Sequence, residues 1–247
     1  MRLLLTRPLE DSRRLAQALT AAGHEVLVEP LLTIEPLAPE LELDGVQAVA
    51  VTSRHALTFL AGREDADARA LRALPLFAVG SATAEAARAA GFERVNDAEG
   101  DATVLARLLA ERLEPAAGAV LHLAGETVGP ALAEELAARG IALGGAVTYR
   151  AREATALSTV CRAALEADRL DGATFLSPRT AATFVRLAGE AQVAERCRGL
   201  LAFCLSVAVA KALDGVSWRR VVVAEGPRLK DLVAAIATAE QEERPRR

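Results

Sequence analysis

Two passages of this chain place a hydroxyl and an arginine where an apolar run gives way to a helix. Thr52-Ser53-Arg54-His55-Ala56-Leu57-Thr58-Phe59 returns as Ser177-Pro178-Arg179-Thr180-Ala181-Ala182-Thr183-Phe184 without a gap. Val46–Val51 leads into the first and Ala173–Leu176 into the second. At such a junction the unpaired N–H groups of the first helical turn point outward and favour an anion. The chemistry expected is recognition of carboxylate or phosphate by hydroxyls, backbone N–H groups and arginine forks. For any one residue the alternative is ordinary N-capping, which Ser and Thr commonly perform. As a set they favour a ligand, because so many polar turns should share one face.

In open parallel sheets ligands bind beyond the carboxyl ends of the strands. The candidate contacts there are Thr6 and Arg7 after the first strand and Thr52, Ser53 and Arg54 after the next domain's first strand. Gly80, Ser81 and Thr83 follow Leu76–Val79, and Gly125 follows Val120–Leu123. Ser177, Pro178, Arg179, Thr180 and Ser206 complete the set, and Glu225-Gly226-Pro227 ends the last strand. General bases are scarce. His24, His55 and His122 are scattered without metal-ligand spacing. His55 is expected as a surface helix residue and His122 as a satisfied interior group. Walker, dinucleotide-fingerprint and nucleophile-elbow motifs are absent from the sequence. The chain is therefore expected to work without metal or cofactor, or to do no chemistry. Tyr149, the only tyrosine, stands in Val147-Thr148-Tyr149-Arg150. Its phenol either donates a proton to a leaving group or packs with its hydroxyl at a wet edge.

These residues need elements to hold them. Short apolar runs alternate with helix-period segments along the whole chain, which implies parallel sheets covered on both faces. The repeat continues: Leu76–Ala84 resembles Ala202–Ala210, each leading into a helical stretch. Ser177 stands 125 residues after Thr52, and Ser206 126 after Gly80. A near-constant offset of that size points to domain duplication. Helices are expected over 54–61 and 179–194 as well as over the other periodic segments. Two extended stretches, near 30–39 and 141–152, break the rhythm and bracket one copy. The expected fold class is α/β, with two related parallel-sheet, flavodoxin-like domains. One domain, 37–149, is inserted in the other, 1–36 with 150–247, through a two-stranded antiparallel linker. One continuous large sheet is the alternative.

Composition narrows the partners. A net charge of −4 and 3% aromatic residues argue against a nucleic-acid surface. Cys161, Cys197 and Cys204 form no C-x-x-C motif, which fits reduced thiols in the cytoplasm. No 18-residue apolar run is present, so no membrane span is expected. The charged tail 240–247 is expected to fray.

The chain resembles the uroporphyrinogen-III synthase family over nearly its whole length. The resemblance rests on Leu3-Leu4-Leu5-Thr6-Arg7-Pro8, Pro30-Leu31-Leu32-Thr33-Ile34-Glu35-Pro36, Val51-Thr52-Ser53 with Ala56, and Ala78-Val79-Gly80 with Thr83-Ala84. Tyr149, Phe175-Leu176-Ser177-Pro178 and Cys204-Leu205-Ser206 with Ala210 and Leu213 complete it. It implies two α/β domains joined by a two-stranded ladder. It also implies closure of hydroxymethylbilane to uroporphyrinogen III, with loss of water and inversion of the last ring through a spiro-pyrrolenine intermediate. The implied substrate carries eight carboxylates, and the implied protein is a cytoplasmic monomer in transient contact with the upstream deaminase. By the same resemblance Tyr149 is the acid that assists hydroxyl departure, and Ser53, Thr83 and Ser177 are cleft contacts. Two turns depart from the family pattern: Gly125–Pro130 carries no arginine, and Val207-Ala208-Val209 lacks a threonine. The rival expectation is a non-catalytic hinged protein that binds or senses a small polyanion.

Overall fold

The computed structural model describes residues 1–226 and 228–243. Pro227, expected at the end of the last strand, and residues 244–247 of the charged tail lie outside the described residues. In chain order the strands are β1 (Arg2–Leu5), β2 (Glu25–Val28), β3 (Leu32–Pro36), β4 (Val46–Val51), β5 (Leu76–Ala78), β6 (Val95–Asp97), β7 (Ala119–Gly125), β8 (Leu143–Glu153), β9 (Gly172–Phe175), β10 (Leu201–Cys204) and β11 (Arg220–Val223). The helices are α1 (Leu9–Ala21), α2 (Ala66–Ala73), α3 (Ser81–Ala89), α4 (Ala102–Arg112), α5 (Ala131–Ala137), α6 (Thr159–Glu166), α7 (Pro178–Glu190), α8 (Val207–Lys211) and α9 (Leu229–Glu243). They form two compact units, residues 1–33 with 152–247 and residues 34–151.

The first unit is built on a sheet in the order β11-β10-β9-β1-β2, all parallel. Its central strands are apolar runs because both faces are covered. Leu3 and Leu5 pack with Leu15 and Leu19 of α1 and Leu232 and Ile236 of α9. Leu4, one residue out of phase, packs on the other face with Phe175, Phe184 and Cys161.

The second unit carries the order β3-β8-β7-β4-β5-β6. Val49, Val51, Leu121 and Leu123 pack on one face, beside Leu57, Leu71 and Ala84. Ala48, Ala50 and Val120 pack on the other, beside Leu105, Leu109, Leu132 and Leu136. Strands β4 to β8 pair in parallel. β3 runs against β8: Leu37 N–H donates to Thr148 O (2.8 Å) and Ala154 N–H to Leu31 O (3.0 Å), so partner numbers fall as the others rise.

Written across, the two sheets are β2-β1-β9-β10-β11 and β8-β7-β4-β5-β6, with β3 extra at one edge. The repeated passages follow β4 and β9, which hold the same place, and β5 and β10, which hold the next. The layout is shared, but the chain enters it at different strands. In its own chain order the first sheet, so written, reads 2-1-3-4-5, the flavodoxin order, and the second 5-4-1-2-3.

Three local features differ from expectation. Residues 54–60 form a 3₁₀ helix rather than an α-helix. Ala56 N–H donates to Ser53 O (3.0 Å) and Ala61 N–H to Thr58 O (3.2 Å), the shorter-period bonding of that turn. Helix α2 was not anticipated. Its cap is Asp65, which accepts from Ala68 N–H at 3.0 Å, and its inner face is Ala68 and Leu71. A further 3₁₀ helix, Ala194–Gly199, follows α7, which ends four residues earlier than expected, at Glu190. Among the described residues no helix is long and apolar enough to cross a membrane.

Candidate functional site

Each sheet has a switch point where the strand order reverses and the connections of the two neighbouring strands leave toward opposite faces, the usual location of a ligand crevice. In the second unit it lies between β4 and β7. β4 leads to the 54–60 turn on one face and β7 to α5 on the other. In the first unit it lies between β1 and β9, which lead to α1 and α7.

At the β4–β7 point, Thr52 Oγ1 lies 3.1 Å from His122 Nε2. His122 is 4% exposed. Burial pushes its pKa down to about 4, so the ring is neutral at ordinary pH and serves as a fixed hydrogen-bond partner. The sign of the pH effect follows. The unfolded ring takes up its proton below about pH 6.5 and the folded ring only near 4. Stability is therefore full above 6.5 and falls as pH drops through that window. His122→Gln is expected to abolish a loss on the order of 2 kcal/mol between pH 7.5 and 4.5. Urea midpoints of both proteins at the two pH values test this, and parallel losses would refute it.

The next residues of that turn are Ser53 and Arg54. Ser53 is extended and accepts from His55 N–H at 3.3 Å, so it caps the 3₁₀ helix. Arg54 is half-buried and, with Leu57, Leu60, Ala86 and Ala90, lines a groove of about 640 Å³. Thr148, fully buried, donates to Ala56 O (2.9 Å) with Ala124 O 3.3 Å away, which ties the turn to β7 and β8.

The neighbouring Tyr149 is half-buried beside that turn. Its ring centroid is 5.8 Å from that of His55, tilted by 56°. His55 is thus a half-buried partner of the phenol ring rather than the surface residue expected. A register shift between Ala124 and Gly125 sets Gly125 opposite Tyr149. A Cβ on Gly125 would stand 2.7 Å from Tyr149 Cζ and 3.0 Å from its hydroxyl. Glu126 N–H donates to Tyr149 O at 3.2 Å. The Gly125–Pro130 turn lacks its own arginine, but Arg150 approaches Glu126 at 3.8 Å and Glu35 at 3.2 Å. Its Nε is buried and not aligned as a hydrogen bond to Glu35.

Gly80 caps α3 through its carbonyl, which accepts from Thr83 and Ala84 N–H at 3.0 Å each. Ser81 is exposed at the same turn, whereas Thr83 faces inward and is buried.

In the first unit, Thr6 is fully buried and donates to Thr174 O at 2.7 Å. It joins β1 to β9, a structural task that removes its hydroxyl from the candidate contacts. Arg7 pairs with Asp11, one helical turn on, at 2.9 Å. Ser177 caps α7 by accepting from Thr180 N–H at 3.1 Å, with Pro178 at the first helical position. Thr180 is also buried and bonds the Ser177 hydroxyl, so it orients that residue from within. Arg179 is exposed and pairs with Glu153 at 2.9 Å, holding that carboxyl below its ordinary range. Ser206 caps α8, accepting from Val209 N–H at 3.4 Å. The accessible remainder of the expected set is therefore hydroxyls, N–H groups and cations.

Sequence reasoning missed the Thr52–His122 pair and the Thr148 tie. His122 gave a signal, a lone polar residue within an apolar strand; Thr148 gave none. The three cysteines are buried, and burial pushes each thiol up to about 12, so none is poised as a nucleophile.

The fold is that of known proteins. A uroporphyrinogen-III synthetase from Helicobacter pylori matches with TM-score 0.69 at 19% identity, covering 97% of this chain and all of that one. A mutant uroporphyrinogen III synthase from Thermus thermophilus matches with TM-score 0.54 at 19% identity, covering 98% of this chain and all of that one. The family description "uroporphyrinogen-III synthase HemD" matches residues 13–234. That span takes in every strand of both sheets except β1, and every turn just described except Thr6 and Arg7, and on it the chain belongs to the uroporphyrinogen-III synthase family.

Proposed function

We propose that the hydroxyl-bearing turns at the switch point of each unit are carboxylate-binding elements for a linear tetrapyrrole and that Tyr149 protonates the hydroxyl that leaves. As a member of its family the chain is a uroporphyrinogen-III synthase, a cyclising lyase of tetrapyrrole biosynthesis. It converts hydroxymethylbilane to uroporphyrinogen III with loss of water and inversion of ring D. Eight carboxylates on one substrate suit the hydroxyls of Ser53, Ser81, Ser177 and Ser206, the neighbouring N–H groups, and Arg54 and Arg179. The β3–β8 pairing supports a two-stranded linker, with residues 37–149 as an inserted domain.

The C–O bond of the hydroxymethyl group breaks and its electron pair leaves with oxygen. The phenol proton completes the water, and a cation spread over the pyrrole remains. The substituted carbon of ring D attacks that cation to form a spiro centre. The bond from that spiro carbon to its original methylene bridge then breaks, its electron pair returning to ring D and the bridge carbon becoming a second pyrrole-stabilised cation; the unsubstituted α-carbon of ring D closes on it, and the proton it loses on rearomatisation restores the phenol. The cation is reactive without help, so the protein's main contribution is to hold the ring ends in one geometry.

The observation that carries the assignment of Tyr149 is its placement at the β4–β7 switch point, against Gly125 and the 54–60 turn. Buried, unpaired thiols support a reducing compartment. The test is to supply hydroxymethylbilane from its deaminase, add the protein, and separate the oxidised porphyrin isomers. Isomer III is expected. Isomer I alone would overturn the enzyme and leave a binding protein.

A further inference from the structure

We infer that Gly125 is a positioning residue for the Tyr149 phenol: its missing side chain is the slot in which the ring lies. The inference rests on Tyr149 being the proton donor. Every contact that a Cβ on Gly125 would make within its three nearest is with Tyr149, at Cζ (2.7 Å), Cε2 (3.0 Å) and Oη (3.0 Å). Gly125 does not have the positive φ that would demand glycine, so its backbone accepts alanine. The conflict therefore falls on the far end of one side chain, which can swing away while the fold stands.

The surroundings make that swing consequential. The ring is bounded by His55, 5.8 Å away. The backbone on either side is held: Thr148 is tied to Ala56, and Glu126 N–H bonds Tyr149 O. The strand itself cannot follow the ring. A methyl at Gly125 moves the phenol oxygen relative to everything that fixes the substrate. A displacement of about 1 Å at a reacting group can cost up to about a hundredfold in rate.

The test compares Gly125→Ala in the natural chain and in a Tyr149→Phe background. In the natural chain G125A is expected to lower kcat at least about tenfold with KM within about threefold. In the Y149F background it should cost less than about threefold, because the group it displaces no longer acts. Equal losses in both backgrounds would show a merely structural glycine and overturn the inference, as would a fully active G125A. If Y149F itself turns over at the natural rate, the proton-donor assignment fails and the inference falls with it. A second measurement does not depend on activity. Tyr149 is the only tyrosine, so 3-fluorotyrosine labels one site. Its fluorine resonance should be shifted from the unfolded position in the natural protein and move again in G125A. A natural-protein signal at the unfolded position would overturn the slot even if G125A did not fold.

Discussion

Tyr149→Phe should lower kcat about a hundredfold, at the low end of what a positioned general acid supplies. The low end is expected because the departing hydroxyl leaves a cation stabilised by its own pyrrole, and water can supply a proton slowly. KM should change little, since the carboxylates are held elsewhere. Phenylalanine keeps the ring against His55 and Gly125, so the melting temperature should stay within about 2 °C. A slower enzyme also competes less well with spontaneous closure, so the product should shift toward the uninverted isomer. Coupled assays with isomer separation, together with thermal unfolding, measure all three. A kcat within about threefold of the natural chain, with inversion intact, would remove Tyr149 from the chemistry.

That tyrosine shows where sequence stops being informative. Its uniqueness and its position in an extended stretch were legible, and so was the alternation that makes β4, β7 and β9 buried strands. The slot beneath the ring was not. Gly125 lies 24 positions from Tyr149, and only a register shift in the β7–β8 pairing brings them face to face. His55 was misread for the same reason: its neighbours in the chain place it on a short helix, but its ring partner comes from β8. Hydroxyls were found by type and then divided by geometry. Ser177 and Thr180 look alike in sequence, yet one caps the helix from outside and the other bonds it from within. Helix α2 escaped because its apolar face is only Ala68 and Leu71 over eight residues, too short to establish a period. The permuted strand orders also explain why the repeat was visible only in part. Elements following β4 and β9 keep their chain order, so their offset is constant. β1 and β7 hold the same place in their sheets but occur in opposite order relative to those passages.

The repeated motif ends each time in phenylalanine, which leads to the largest expected loss of stability. Phe184 is fully buried in α7, its ring 5.3 Å from Phe175 and 5.7 Å from Trp218. Phe184→Ala should destabilise the first unit by about 4 kcal/mol, through lost apolar burial, a residual cavity and a broken aromatic cluster. Phe184→Leu should cost about 1–2 kcal/mol, because most of the volume is kept. Trp218 is the only tryptophan, so its emission reports this cluster directly in a urea titration. A midpoint unchanged by F184A would mean that the cluster closes over the gap and does not anchor α7. Phe59, the matching residue, is 6% exposed, with the Arg63 guanidinium 5.6 Å from its ring. In both copies the polar start of the motif faces outward at the strand's end, and the aromatic, two turns or less further on, fixes the same segment to its sheet. The same helix that presents Ser177 and Arg179 is held by Phe184, so packing there sets how rigidly the hydroxyl and the cation are offered. F184A should consequently raise KM before it lowers kcat when assayed where the protein remains folded, whereas Y149F should do the reverse.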